Sequence, residues 1–156
     1  MKPNNVTRML DQRKIAYEAF ELPVEKLGAL EVAIILKVPP HLVYKTIVVL
    51  RGNQGKQILA VIPGDREVDL KALASAVGEK KVFLATEKQA EQYTGLQVGG
   101  ISPLALIKRA FQVVIDTQAQ SLDTMYVSGG QRGLNIRMAP SDLANLTKAR
   151  FASITR

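Results

Sequence analysis

The spacing of apolar residues changes period repeatedly along the chain, and each change marks an element. Val6, Met9, Leu10 and Arg13 fall at helical spacing behind the capping candidates Asn4 and Asn5, which predicts a helix over 5–14. Tyr17 to Leu22 alternates loosely and reads as a strand broken by Pro23. Leu27, Leu30, Ile34 and Val38 return to helical spacing, so residues 25–37 read as an amphipathic helix that Pro39 and Pro40 must end. Val43 to Leu50 is a β-branched apolar run. A polar connection, Arg51 to Lys56, joins it to Gln57–Ile62, and Pro63-Gly64 closes what reads as an antiparallel pair.

Beyond it, Asp69 caps a helix running through Val77, with Leu70, Leu73, Ala74 and Val77 on its inner face and Gly78 as a left-handed stop. Lys81–Ala85 reads as a short strand, and Thr86 caps a polar helix from Glu87 to Tyr93. A glycine-rich loop, Thr94 to Pro103, follows. Phe111–Ile115, Thr124–Ser128 and Leu134–Ala139 read as strands, Pro140 and Ser141 open a last helix, and Phe151–Ile154 adds a final strand. About seven short strands and five helices without a repeated βαβ unit favour a single α+β domain over 1–156 with a mixed, largely antiparallel sheet, rather than a doubly wound fold.

The strand over 43–50 contains one residue that its pattern does not explain. Val43, Lys45, Ile47 and Val49 share one face, and Tyr44, Thr46, Val48 and Leu50 the other. Neither face is polar along its length, so the strand belongs inside a sheet covered on both sides. A lysine there must reach water, a partner or a cleft, because burying an unpaired ammonium costs several kcal/mol. A strand-end lysine extending to solvent satisfies the same pattern; a charge held in a cleft for use is the alternative.

Composition narrows the chemistry. The chain has 156 residues, 47% of them hydrophobic, which is enough for a real core and too much for a disordered chain. No apolar run approaches the roughly 18 residues of a membrane span, and polar Asn4, Asn5, Arg8 and Asp11 stand where a signal peptide needs an apolar segment, so a cytoplasmic protein is expected. With no cysteine and a single histidine, His41, there is no thiol nucleophile and no multi-histidine zinc centre. His41 follows two prolines and reads as a turn residue rather than a catalytic base. An enzyme built from this inventory must use lysine, carboxylates, hydroxyls, backbone amides or groups of its substrate. The formal charge of +7 favours a polyanionic partner, nucleic acid first.

Three loop features accompany Lys45. Gly99-Gly100-Ile101-Ser102-Pro103 offers successive N–H groups unobstructed by side chains, suited either to cradling an oxyanion or carbonyl or simply to a turn. Ser128-Gly129-Gly130 has the same two readings, with a hairpin as the simpler one. The pairs Lys80-Lys81 and Lys108-Arg109 serve equally as phosphate contacts or as solvated surface.

Val43-Tyr-Lys-Thr-Ile-Val-Val, Gly78-Glu-Lys-Lys-Val82, Thr94-Gly-Leu-Gln-Val-Gly-Gly-Ile-Ser-Pro103 and Tyr126-Val-Ser-Gly-Gly-Gln-Arg-Gly-Leu134 occur in an order and spacing that resembles the YbaK family, free-standing relatives of the editing domain inserted in bacterial prolyl-tRNA synthetase. The resemblance covers almost the whole chain. It implies a compact, barrel-like mixed fold and hydrolysis of mischarged aminoacyl-tRNA(Pro), without metal or cofactor, with prolyl-tRNA synthetase as a partner. The family's essential lysine falls on Lys45 and its substrate loop on Gly99 to Pro103, with Thr46, Ser128 and Gly129 as further substrate contacts. The Gly-Gly-Ile-Ser-Pro form is closer to the cysteine-specific branch than to the alanine-specific one. The chain departs from the family at Leu104-Ala105-Leu106-Ile107, where Leu-Gly and basic residues are common, and in a shorter segment between Leu22 and Lys45.

Two other classes compete. A pure RNA-binding module interleaves basic residues with exposed aromatics, but aromatics are only 5% here and tryptophan is absent. A module that docks on the synthetase and leaves catalysis elsewhere is compatible with the small size of the chain.

Overall fold

The computed structural model describes residues 2–52 and 55–156. Helix α1 (Asn5–Gln12) starts where expected because Asn4 accepts from the Thr7 N–H and Thr7 reaches back to the Asn4 N–H, a reciprocal cap. The second helix is shorter than the apolar spacing predicts. Helix α2 covers Ala29–Leu36, not 25–37, because Glu31 caps the Gly28 N–H at one end and Lys37 turns left-handed before Pro39 at the other.

The strands form two sheets rather than one. Strand β1 (Tyr17–Glu21) opens the first sheet. Strands β2 (Tyr44–Arg51) and β3 (Gln57–Pro63) pair antiparallel, with Lys45 opposite Ile62; the tip of their connection, residues 53–54, lies outside the described residues. Helix α3 (Leu70–Ala76) begins at its Asp69 cap, and β4 (Val82–Leu84) pairs only with the far end of β2. Helix α4 (Glu87–Thr94) has the expected Thr86 cap. Strand β5 (Phe111–Asp116) then adds to β3 in parallel, β6 (Met125–Ser128) and β7 (Leu134–Met138) form a hairpin, and α5 (Pro140–Thr147) leads to β8 (Arg150–Ala152).

The first sheet is antiparallel, in the order β1-β7-β6; the second is mixed, in the order β4-β2-β3-β5-β8. The parallel pairs arise because β3 and β5 are separated by α3, β4 and α4, a crossover long enough to bring the chain back in the same direction. This is the expected α+β class, but among the described residues the two sheets, which share a core, are joined in backbone pairing by one bridge, Val43 with Tyr126, and do not close into a barrel.

Alternation along β2 divides the core. Tyr44 and Val48 enter one cluster, with Leu59, Ile115, Val127 and Ile136, whereas Ile47 and Val49 pack with Ile58, Ile62 and Leu73. Both faces of β2 are thus covered, as its apolar pattern predicts. The last strand sits earlier than predicted because Asp116, 1% exposed, accepts from the Ile154 N–H and the Thr155 hydroxyl and draws residues 154–155 out of the ladder. Among the described residues no helix is long and apolar enough to cross a membrane.

Candidate active site

Beyond the Val43–Tyr126 bridge β2 and β6 separate, and the wedge between them is a cavity of about 220 Å³. Its walls come from Tyr44 to Ile47 on β2, Leu27 to Ala29 and Val32 before and within α2, Val98, Gly99 and Ile101 from the glycine loop, Ser128 at the end of β6 and Asn135 on β7. The volume lies below the roughly 300–1,000 Å³ of drug-sized sites, so it admits a small group only.

The backbone edge of β2 is open here. Gly64 donates its N–H to the Val43 carbonyl on the β3 side, and Ala85 donates to the Val48 carbonyl on the β4 side. Because antiparallel hydrogen bonding alternates, the peptide groups of Lys45 face β3 and those of Thr46 face the cavity, where β4 has not yet begun. The cavity wraps around this edge and meets Lys45 from one strand face and Thr46 from the other.

Lys45 is half-buried, and its Nζ donates a long bond of 3.4 Å to the Gly64 carbonyl. Among the described residues it has no carboxylate partner. The side chain therefore keeps most of its donor capacity at the cavity wall. Its tether is fixed by close packing: a Cβ on Gly64 would lie 2.7 Å from the Ala29 Cβ and 2.8 Å from the Val43 oxygen.

The glycine loop is divided. Gly99 lines the cavity with φ +95°, a conformation that disfavours any side chain. Gly100 does not line it; its N–H is committed to the Gln97 carbonyl at 2.9 Å, so the expected cradle of successive free amides is not formed by this pair. Gly100 instead lets the loop lie on the next turn, since a Cβ there would be 2.8 Å from Arg132 N and from Gln131 C. Arg132 fastens that contact by donating from Nε to the Val98 carbonyl. Gly100→Ala is therefore expected to cost about 1–3 kcal/mol through overpacking. Thermal unfolding should show a fall of several degrees, at roughly 2–4 °C per kcal/mol for a chain of this size.

The remaining predicted residues separate into wall and support. Ile101 and Ser128 line the cavity, and the Ser128 hydroxyl accepts from the Gly130 N–H. Ser102 is 0% exposed and caps the Pro103–Leu106 turn by accepting from Leu104, so it and Pro103 position the loop from below. Gly129 is away from the cavity; a Cβ would meet the Leu134 side chain at 2.5 Å. It closes the β6–β7 turn by donating to the Leu134 carbonyl.

Asn135 is the residue that the sequence pattern does not disclose. It alternates with Leu134 and Ile136 and shares a strand face with Arg137, which reads as an outward polar position. That face is instead covered by the Val32, Ala33 and Leu27 cluster around α2, leaving Asn135 only 4% exposed. Its Oδ1 is buried without a hydrogen-bond partner while the residue lines the cavity, and the Tyr44 hydroxyl is unpartnered as well. Burial first, then the charges of Asp116 and Asp65, pushes the Tyr44 phenol up, so it stays neutral and available as a donor. A native fold leaves few such atoms unsatisfied, and the Asn135 oxygen on the cavity lining marks a place built for polar contact.

The family model of the aminoacyl-tRNA editing domain matches residues 25–146; the chain belongs to that family. It is 39% identical over 153 residues, 97% of this chain and 92% of the other, to EbsC of Enterococcus faecalis, named as a candidate Cys-tRNA(Pro)/Cys-tRNA(Cys) deacylase. It is 35% identical over 83 residues to a proline–tRNA ligase of Nitratidesulfovibrio vulgaris, a match that spans 52% of this chain and 14% of that enzyme. The crystal structure of a protein described as hypothetical superposes with a TM-score of 0.88 at 27% identity, covering 98% of this chain and all of that one. The resemblance to YbaK proteins read from the sequence is borne out.

Proposed function

We propose that residues 1–156 act as one trans-editing domain that removes a wrongly attached amino acid, cysteine foremost, from tRNA(Pro) in the cytoplasm. The observation that carries this reading is one small cavity lined by Lys45, without a carboxylate partner among the described residues, and by Asn135, whose carbonyl oxygen is unpartnered among them, in a chain of the editing family. The name of EbsC supports the substrate, and the match within proline–tRNA ligase supports an association with that enzyme. The need is physical: a synthetase pocket separates near-isosteres by only about 1–3 kcal/mol, so a second, hydrolytic site removes what slips through.

An aminoacyl ester is already activated, and little acid–base apparatus is required. Lys45 stabilises negative charge developing at the ester or orients the terminal ribose, and the Thr46 backbone at the open strand edge and Gly99 hold the aminoacyl group. For cysteine, the substrate thiolate attacks its own carbonyl carbon. The carbon–sulfur bond forms, the carbon–oxygen bond to the ribose breaks, the ribose oxygen takes a proton, and water opens the resulting cyclic thioester. The enzyme then needs no nucleophile and no metal, in keeping with a sequence that has no cysteine and one histidine. Asn135 Oδ1 accepts from the α-ammonium of the substrate. Removing a hydrogen bond to a charged group costs roughly 1.5–3 kcal/mol, so Asn135→Ala should lower kcat/KM about 10- to 100-fold without loss of thermal stability.

The deciding experiment is a deacylation panel of Cys-, Ala- and Pro-tRNA(Pro), with and without prolyl-tRNA synthetase. Preferential release of cysteine with Pro-tRNA(Pro) spared is the expected result; equal hydrolysis of all three, or of none, would defeat the reading. A binding-only module would show no release in any condition while still associating with the synthetase.

A further inference from the structure

Five cations, Arg13, Lys56, Arg109, Lys148 and Arg150, line a second and larger cavity of about 640 Å³, and no carboxylate does. Among the described residues the ion pairs of the chain use Lys26, Arg51, Arg137 and Arg156, none of them from this group. The cleft lies at the other end of the mixed sheet from Lys45. Lys45 pairs with Ile62, whereas the cleft is bordered by Lys56, next to Gln57, and by Gln112, which pairs with Ile58. The five residues from Ile62 to Gln57 correspond to about 17 Å along the strand.

Helix ends explain part of this charge but not its sum. Arg13 and Lys148 are the C-caps of α1 and α5, Arg109 donates to the last carbonyls of α4, and Arg150 donates to Ala76 at the end of α3. Each helix C-terminus carries roughly −0.5 charge, so four of them offset about 2 of the 5 positive charges and leave about +3. Lys56 has no helix end to serve. The cations come from four separate segments, Lys148 and Arg150 sharing the turn between α5 and β8, spread around a trough whose lining includes Phe111 and Ile107. That spread fits a repeating anion rather than one small phosphate held in a converging nest.

We propose that this cleft is a phosphodiester site, which holds the RNA backbone while the aminoacylated end occupies the Lys45 cavity. The assignment rests on the editing reading for the identity of the RNA, but not for the presence of the site. The cleft supplies affinity and the small cavity supplies chemistry, so the two should separate experimentally.

The test measures binding of uncharged tRNA(Pro) between about 50 and 200 mM salt, where each phosphate contact contributes roughly 0.7–0.9 to the slope of log K against log salt. Arg13→Gln/Lys56→Gln/Lys148→Asn should reduce that slope by about 2–3, asparagine being suited to the left-handed conformation of Lys148. Lys71→Gln/Lys80→Gln/Lys81→Gln, which removes the same charge outside the cleft lining, should change the slope by less than about 1. If the triple variant fails to fold, Lys56→Gln alone should still lower the slope by about 1. Cysteine release from Cys-tRNA(Pro) at saturating enzyme should be unchanged in the cleft variant while kcat/KM falls. An unchanged slope, an equal loss in the control variant, or a selective loss of synthetase binding with RNA binding intact would each overturn the proposal. A wild-type protein that shows the slope effect yet hydrolyses no aminoacyl-tRNA would keep the cleft and remove the editing reading instead.

Discussion

Replacing Lys45 by alanine is expected to slow cysteine release from tRNA(Pro) by about 100- to 1,000-fold with the fold intact. The size follows from the usual cost of deleting one preorganised group that stabilises developing charge, about 2.7–4 kcal/mol of barrier. Stability should barely change, because the half-buried side chain forms one long bond, to the Gly64 carbonyl, and has no carboxylate partner among the described residues. Its loss leaves no charged group stranded, which is the usual source of a large penalty when half of an ion pair is removed. Thermal unfolding and single-turnover release from the same preparation check both halves. A folded Lys45→Ala protein within about fivefold of wild type would remove Lys45 from the chemistry, and the open edge at Thr46 would have to carry it.

Exchanging the substrate should have a larger effect than exchanging any residue. Ser-tRNA(Pro) has nearly the shape of Cys-tRNA(Pro), yet its hydroxyl, with a pKa near that of water at roughly 15.7, is ionised about seven orders of magnitude less than a thiol of pKa about 8.5. The more basic oxygen anion regains part of this. With a Brønsted coefficient of about 0.4–0.5 over seven units, that is roughly three orders. The net expectation is release slowed on the order of 10,000-fold, with binding little altered. Single-turnover rates at saturating wild-type enzyme isolate the chemical step, since saturation takes affinity out of the comparison. Equal saturated rates would show that water held by the protein attacks, and the groups positioned to hold it are Thr46 and Ser128, both on the cavity wall. Ser102, equally a candidate from the sequence, is buried beneath the loop and committed to Leu104.

How far the sequence led differs between fold and site. Caps and periodicity placed α1, α3 and α4 within a residue or two, because those signals are local: Asn4, Asp69 and Thr86 each satisfy N–H groups a few residues away. Lys45 stood out for the same kind of reason, a charge in a strand with no polar face. The partition of the strands into two sheets had no local signal. It depends on β1 pairing with β7 and on β2 bridging to β6 in backbone pairing at Val43 alone among the described residues, contacts between residues distant in the chain.

The site shows the same division. Residue types alone restricted the chemistry to lysine, backbone and substrate, since a chain without cysteine and with one histidine has few other reagents. Tertiary packing decided which residues share the cavity. It turned Gly100 and Gly129 into packing positions, because neighbouring turns approach closer than a Cβ allows. It brought Asn135 inside, because α2 and the apolar residues around it cover the strand face that carries this polar residue. It also set Arg13, Lys56, Arg109, Lys148 and Arg150 around one trough, although nearly a hundred residues separate Arg13 from Arg109 in sequence. Local order follows from neighbours along the chain, whereas a site is a meeting of distant segments, and only the folded backbone fixes that meeting.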